Sequence, residues 1–160
     1  MPNHVTNKIL FDQSSSQIVF EQACTNGQFD FGLLIAPPCG IYRGNLTMED
    51  RKDFKLNWLD WNTENWGTKW NAYNCTIGIE SGIAFIVFET AWSIPYPVIS
   101  AFCNKFKIPF EHRYFDEGHN YWGIEKWDGK SRTNKQQSNQ EDKKNLCIEL
   151  LGYDPDAREE

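Results

Sequence analysis

Two short blocks concentrate side chains that could do chemistry: Asn65-Trp66-Gly67-Thr68-Lys69-Trp70-Asn71 and Phe88-Glu89-Thr90-Ala91-Trp92. Four of the seven tryptophans (Trp58, Trp61, Trp66 and Trp70) fall within thirteen positions. Indole is bulky and carries a polar N–H, so such density means either a tightly filled core or an adhesive aromatic surface. As a surface, Trp66 and Trp70 would be stacking platforms for a base or a partner side chain, with Lys69 holding an anion and Trp92 a further candidate binding residue. As structure, Gly67 makes a turn, Asn65 and Thr68 bond the backbone, and the indoles cover a sheet. The second is the commoner fate of clustered tryptophan.

Glu89 lies in a run whose other positions are largely apolar. A partly buried carboxylate has a raised pKa unless it is paired, which is how a general acid or base is made. Lys69 or His112 could be the partner; a sheet-end glutamate in solvent is the plainer reading. His112 and Tyr114 share one strand face and with Glu117 could line a pocket rim. A single histidine without a nucleophile at a recognisable elbow is weak evidence of catalysis. A metal centre would need more convergent ligands, and no phosphate-binding glycine loop, G-x-S-x-G or H-E-x-x-H occurs. No metal or cofactor is therefore expected.

The elements that must position these residues follow from periodicity. Val5 to Phe11 reads as a strand. Ser14 to Gln17 could start a helix by a capping box, with Ile18, Val19 and Ala23 buried and Asn26-Gly27 as its C-cap. Phe29 to Ala36 reads as extended. Thr47 to Asp50 offers another helix start, and Phe54, Trp58 and Trp61 would share one face. Asn74 to Glu80 and Ile83 to Trp92 flank Ser81-Gly82 as a hairpin. Both faces of its second strand are apolar, which places that strand centrally or nearly so. Pro97 suits the first turn of a helix with Val98, Ile99, Phe102, Cys103 and Phe106 as its apolar stripe. A last hairpin spans Ile108–Phe115 and Tyr121–Trp127. From Asp128 to Asn145 no side chain is apolar, so that stretch reads as a linker or mobile loop before a short helix at Leu146–Leu151, closed by Gly152.

This order predicts an α+β protein: a ferredoxin-like sandwich, mostly antiparallel sheet with helices on one face, plus a C-terminal helix. Residues 1–127 would form the domain, 128–145 the polar connector, and 146–160 the helix and an acidic tail. At 160 residues there is material for one buried core. The blocks at 65–71, 88–92 and His112–Gly118, opened by Met1-Pro2-Asn3, resemble the YubB-type ferredoxin-like family of small plasmid, phage and prophage proteins. The likeness covers the opening and most of 60–127; His4 stands where the family opening has Trp. The resemblance implies a ferredoxin-like fold and a mobile-element origin, but no chemistry and no catalytic residues.

The net charge of −6 disfavours a generic nucleic-acid binder, including an RNA-recognition-like module, because phosphate neutralisation needs basic surface. Residues 128–145 carry a net +2 against −8 for the remainder. The five cysteines are odd in number and widely spaced, which favours reduced thiols. No charged-then-apolar leader opens the chain and no apolar run nears the ~18 residues of a membrane span, so the expected location is cytoplasmic. The expected function is a non-enzymatic binding protein of a mobile genetic element. It would occupy a host or defence protein through the aromatic 58–70 region or an acidic face. The alternative is a small enzyme or ligand-sequestering protein with a pocket near Glu89, His112 and Lys69.

Overall fold

Central strand β1 (His4–Asp12) sends its side chains alternately to two faces, and its neighbours follow the same alternation. The computed structural model describes residues 3–134 and 138–157. Met1 and Pro2 of the opening block, 135–137 of the polar stretch and 158–160 of the acidic tail lie outside them. After β1 come α1 (Ser16–Ala23), a small hairpin of β2 (Cys24–Thr25) and β3 (Gln28–Phe29), then α2 (Met48–Asp53) and α3 (Trp58–Asn65). The chain continues through β4 (Tyr73–Glu80), β5 (Ile83–Ala91), α4 (Tyr96–Phe106), β6 (Phe110–Asp116), β7 (Trp122–Trp127) and α5 (Gln140–Leu151). The main sheet runs β4-β5-β1-β6-β7, every pairing antiparallel. Its first four strands, with α1 and α4 as crossovers, have the ferredoxin-like order; β7 adds an edge.

The inner face carries the core. Ile9 and Phe11 of β1, Ala84, Ile86 and Phe88 of β5, and Phe110 of β6 pack against Val19 and Ala23 of α1 and Val98, Ile99 and Phe102 of α4. Phe29 and Phe31 close it with ring centroids 4.8 and 5.8 Å from Phe88. On the opposite face α5 covers β6 and β7 and reaches β1, with Leu146 and Cys147 buried against Phe115 and Trp122. There Glu149 accepts hydrogen bonds from Lys8 (3.0 Å) and from Arg113 (2.7 and 2.8 Å). Over β4 and β5 the covering is local: Phe85 lies across Gly78, where an added Cβ would come within 2.8 Å of the ring.

Several expectations are corrected. Helix α1 is preceded by a 3-10 turn capped by Asp12, whose carboxylate accepts the Ser14 N–H at 2.9 Å; Ser15 makes no capping bond. Ile18 is exposed, while Val19 and Ala23 are buried and Phe20 packs edge-on to Phe11. Asn26 and Gly27 do adopt left-handed backbone (φ 51° and 74°), but as the turn between β2 and β3, not a helix cap. After Phe29 the chain turns into a 3-10 turn at Phe31–Leu33, since the Asp30 carboxylate accepts the Gly32 N–H. The capping box at Thr47 and Asp50 is present, yet Phe54 does not share a helix with Trp58 and Trp61. It leaves α2 to stack on Tyr42 at 3.9 Å, and Asn57 caps a separate α3. Strand β5 lies next to the centre, with its inner face buried and Ile83 on the outer face exposed. Helix α5 begins at Gln140, where Asn139 accepts the Asp142 N–H. The residues just after β7 are tethered: Asp128 accepts the Lys130 and Ser131 N–H groups, and the Thr133 N–H donates to the Lys126 carbonyl.

Burial opposes ionisation of Glu149, but hydrogen bonds from Lys8 and Arg113 outweigh it and hold the carboxyl below its ordinary value of 4.5. A depressed carboxyl stabilises the fold fully above that value and loses its contribution as the pH falls through its folded pKa. Glu149→Gln should therefore lower unfolding free energy at pH 7 by about 1–2 kcal/mol, measured by urea denaturation. The difference from wild type should shrink as the pH drops below 4.5.

Candidate functional site

The aromatic block divides at Gly67. Helix α3 delivers Trp66 inward, where it is 5% exposed, meets Phe31 and Trp61 edge-on, and donates its indole N–H to the Ile35 carbonyl at 2.9 Å. Gly67 then turns at φ 76°, tight against Pro97 with no room for a side chain. The Thr68 hydroxyl donates to the Ala91 carbonyl (2.9 Å), and the Asn62 amide to the Lys69 carbonyl (3.0 Å). These bonds tie the loop to the end of β5 and turn Lys69 and Trp70 outward.

There they meet Trp92, which is 54% exposed. Its backbone is left-handed, with φ 67°, a conformation costly for a bulky side chain and kept only where surroundings over-determine it. Its N–H donates to the Asn3 carbonyl (2.8 Å) and its own carbonyl accepts the Tyr121 hydroxyl (2.6 Å). The Lys69 ammonium lies 4.8 Å from the Trp70 ring centre and 5.1 Å from that of Trp92. Tyr73 packs edge-on to Trp70 and to His4, and His4 Nδ1 meets its hydroxyl at 2.5 Å. Glu89 stands opposite Tyr73 and accepts from the Asn74 amide. Burial, then Glu89 and Glu117, push the Tyr73 hydroxyl up to about 12. The outer corner is thus an aromatic platform holding one cation beside two carboxylates.

His112 and Tyr114 lie on the inner face of β6, in a separate polar cluster under α4. His112 is fully buried, with Nε2 2.9 Å from Asn7 Oδ1. The Asn7 amide NH2 is committed to the Val5 carbonyl and the Thr90 hydroxyl, so Nε2 carries the hydrogen and Nδ1 is an acceptor. Burial, and secondarily the charge of Arg132, push the imidazole down to about 3, so it stays neutral at physiological pH. Directly across the strand pair, Glu125 is wholly buried. Its Oε1 accepts from the Tyr96 hydroxyl (2.8 Å), the Arg132 guanidinium (3.2 Å) and the Tyr114 hydroxyl (3.3 Å). Burial, more than the neighbouring charge, raises the Tyr96 phenol to about 12, and Tyr114 goes higher still. Arg132 also lies 5.4 Å over the Tyr96 ring. Beside it is a cavity of about 380 Å³ lined by Tyr96, Ser100, Trp127 and Arg132.

The site residues named from the sequence therefore separate three ways. Lys69, Trp70, Trp92 and, through Tyr73, Glu89 come together on the outer corner. Trp66 is core, and His112 with Tyr114 is on the other side of the sheet. Glu89, His112 and Lys69 do not share a pocket, because strand alternation places Glu89 outward and His112 inward. Sequence reasoning missed His4 and Tyr73 in the outer corner and Tyr96, Glu125 and Arg132 in the inner cluster. For Glu125 the signal was present: it is two residues from Trp127 and so shares its inward face. Among the described residues, no group of three or more His, Cys, Asp or Glu is placed to hold a metal ion. No helix among them is long and apolar enough to cross a membrane, and all five cysteines are free.

Residues 53–154 match the family described as a ferredoxin-like domain in Api92-like protein, and the chain belongs to that family. No curated protein and no solved structure matches the chain.

Arg132 is the counter-ion of a fully buried carboxylate, so its removal leaves an uncompensated charge. Arg132→Ala should cost about 3 kcal/mol of unfolding free energy, read by chemical denaturation. Adding Glu125→Gln should return more than half of it. A double variant no more stable than the single one would show that the cost lies elsewhere than in the Glu125 charge.

Proposed function

We propose that this protein is a non-enzymatic binding protein carried by a mobile genetic element, and that it acts by engaging a host or defence protein through the outer corner of Lys69, Trp70 and Trp92. One observation carries this reading: Trp92 is held in a strained left-handed conformation that presents, rather than hides, its indole. Folding would favour a small or polar residue at an exposed left-handed position. A rigid exposed indole with few rotamers to immobilise is the kind of group that dominates protein interfaces. The likeness of the Asn65–Asn71 block to plasmid and phage proteins supports the mobile-element origin. The net charge of −6 supports a protein partner over nucleic acid, since acidic surfaces select basic partners and speed encounter with them. The inner cluster, where Oε1 of the buried Glu125 takes three donors and Oε2 has no partner among the described residues, lies on the other side of the sheet from this corner.

The test is quantitative capture from host-cell extract with wild type, a Trp70→Ala/Trp92→Ala variant, and a control with the exposed Met48 and Ile148 changed to Ala. At least one host protein should fall about tenfold or more in the platform variant and hold its level in the control. If every captured protein responds alike to both variants, the corner is not the contact surface.

A further inference from the structure

Lys69 occupies the place a ligand's cation would take. Its ammonium lies over two indole rings, 4.8 and 5.1 Å from their centres, and the negative face of an indole attracts cations. Among the described residues Lys69 makes no ion pair, so the rings, not a carboxylate, hold it there. Its stem is flexible and its seat lies at the surface, which makes the resident charge exchangeable. The surroundings are acidic: Glu89 stands opposite Tyr73, the Glu117 N–H donates to the His4 carbonyl, and Tyr73 leans against both His4 and Trp70. An incoming anion would meet two carboxylates and two electron-rich ring faces. An incoming cation would find both in its favour.

Resting on the binding-face reading above, we infer that the Trp70–Trp92 slot receives a basic side chain of the partner protein, with arginine preferred, and that Lys69 swings out as it enters. Arginine is favoured because its guanidinium is planar, less strongly hydrated than an ammonium and stacks on aromatic faces. Lys69 is then an internal surrogate: it occupies both ring faces in the free protein and gives way to a better-fitting charge. This reverses the role the sequence suggested, in which Lys69 grips an anion. The partner segment is accordingly basic, matching the acidic body in charge.

The probe is a hexa-arginine peptide, with binding followed by tryptophan emission. Lys69→Met removes the resident cation and should tighten binding about fivefold. Lys52→Met makes the same change in net charge at an exposed site on α2 and should leave affinity near wild type. Trp92→Leu combined with Lys69→Met should abolish the gain. Equal tightening by Lys52→Met, weaker binding by Lys69→Met, or no emission change with any form would overturn the inference. So would binding of hexa-glutamate that is lost in Lys69→Met, since Lys69 would then be an anion ligand. Such a failure, with a host protein still lost from the Trp70→Ala/Trp92→Ala variant, removes the cation assignment and leaves the binding face intact.

Discussion

A strand residue can point only to one of two faces, and this constraint organises the whole molecule. In β1 it sends Val5, Asn7, Ile9 and Phe11 inward and His4, Lys8 and Leu10 outward. Through the antiparallel register the neighbours inherit that choice: Phe88 and Thr90 inward, Glu89 outward, His112 and Tyr114 inward, Arg113 outward. The inner face is then sealed by α1 and α4. The outer face is shared between α5, anchored on Lys8 and Arg113, and an open region that ends in the aromatic corner.

The inner face holds a polar cluster whose members are bonded to one another, although His112 Nδ1 and Glu125 Oε2 are buried without a partner among the described residues. Asn7 fixes the tautomer of His112, and Glu125 gathers two phenols and Arg132. A buried carboxylate with a counter-ion from the following loop explains why polar residues after β7 stay close to the sheet. Their attachment is electrostatic and backbone-mediated, so they need no apolar side chain.

That point also marks how far the sequence could be read. The hairpins β4–β5 and β6–β7, helix α4 and the ferredoxin-like order were legible because alternation, Pro97 and a clean apolar stripe all agree. The entry to α1 and the segment between α1 and β4 were not, because Asp12, Asp30 and Asn57 redirect the backbone through side-chain caps that leave no hydrophobic period. The start of α5 was hidden for the same reason, its first turns being wholly polar. Within the aromatic block, composition could not tell Trp66 from Trp70. Gly67, pressed against Pro97, makes that decision, and Pro97 is distant in sequence. The inner cluster escaped notice because Glu125 and Arg132 are seven residues apart across a turn.

What remains at the surface is a contrast between two tryptophans joined by one turn and a third held out by its backbone. Trp66 is core, while Trp70 and Trp92 stay partly exposed and Trp92 adds a conformational cost. The most direct measurement is hydrogen exchange of the individual indole N–H groups by NMR. Rapid exchange is expected at Trp70 and Trp92 and strong protection at Trp66, whose N–H is bonded to the Ile35 carbonyl. Protection of Trp92 equal to that of Trp66 in the isolated protein would contradict it, because the indole would then be part of the core and not a surface for a partner.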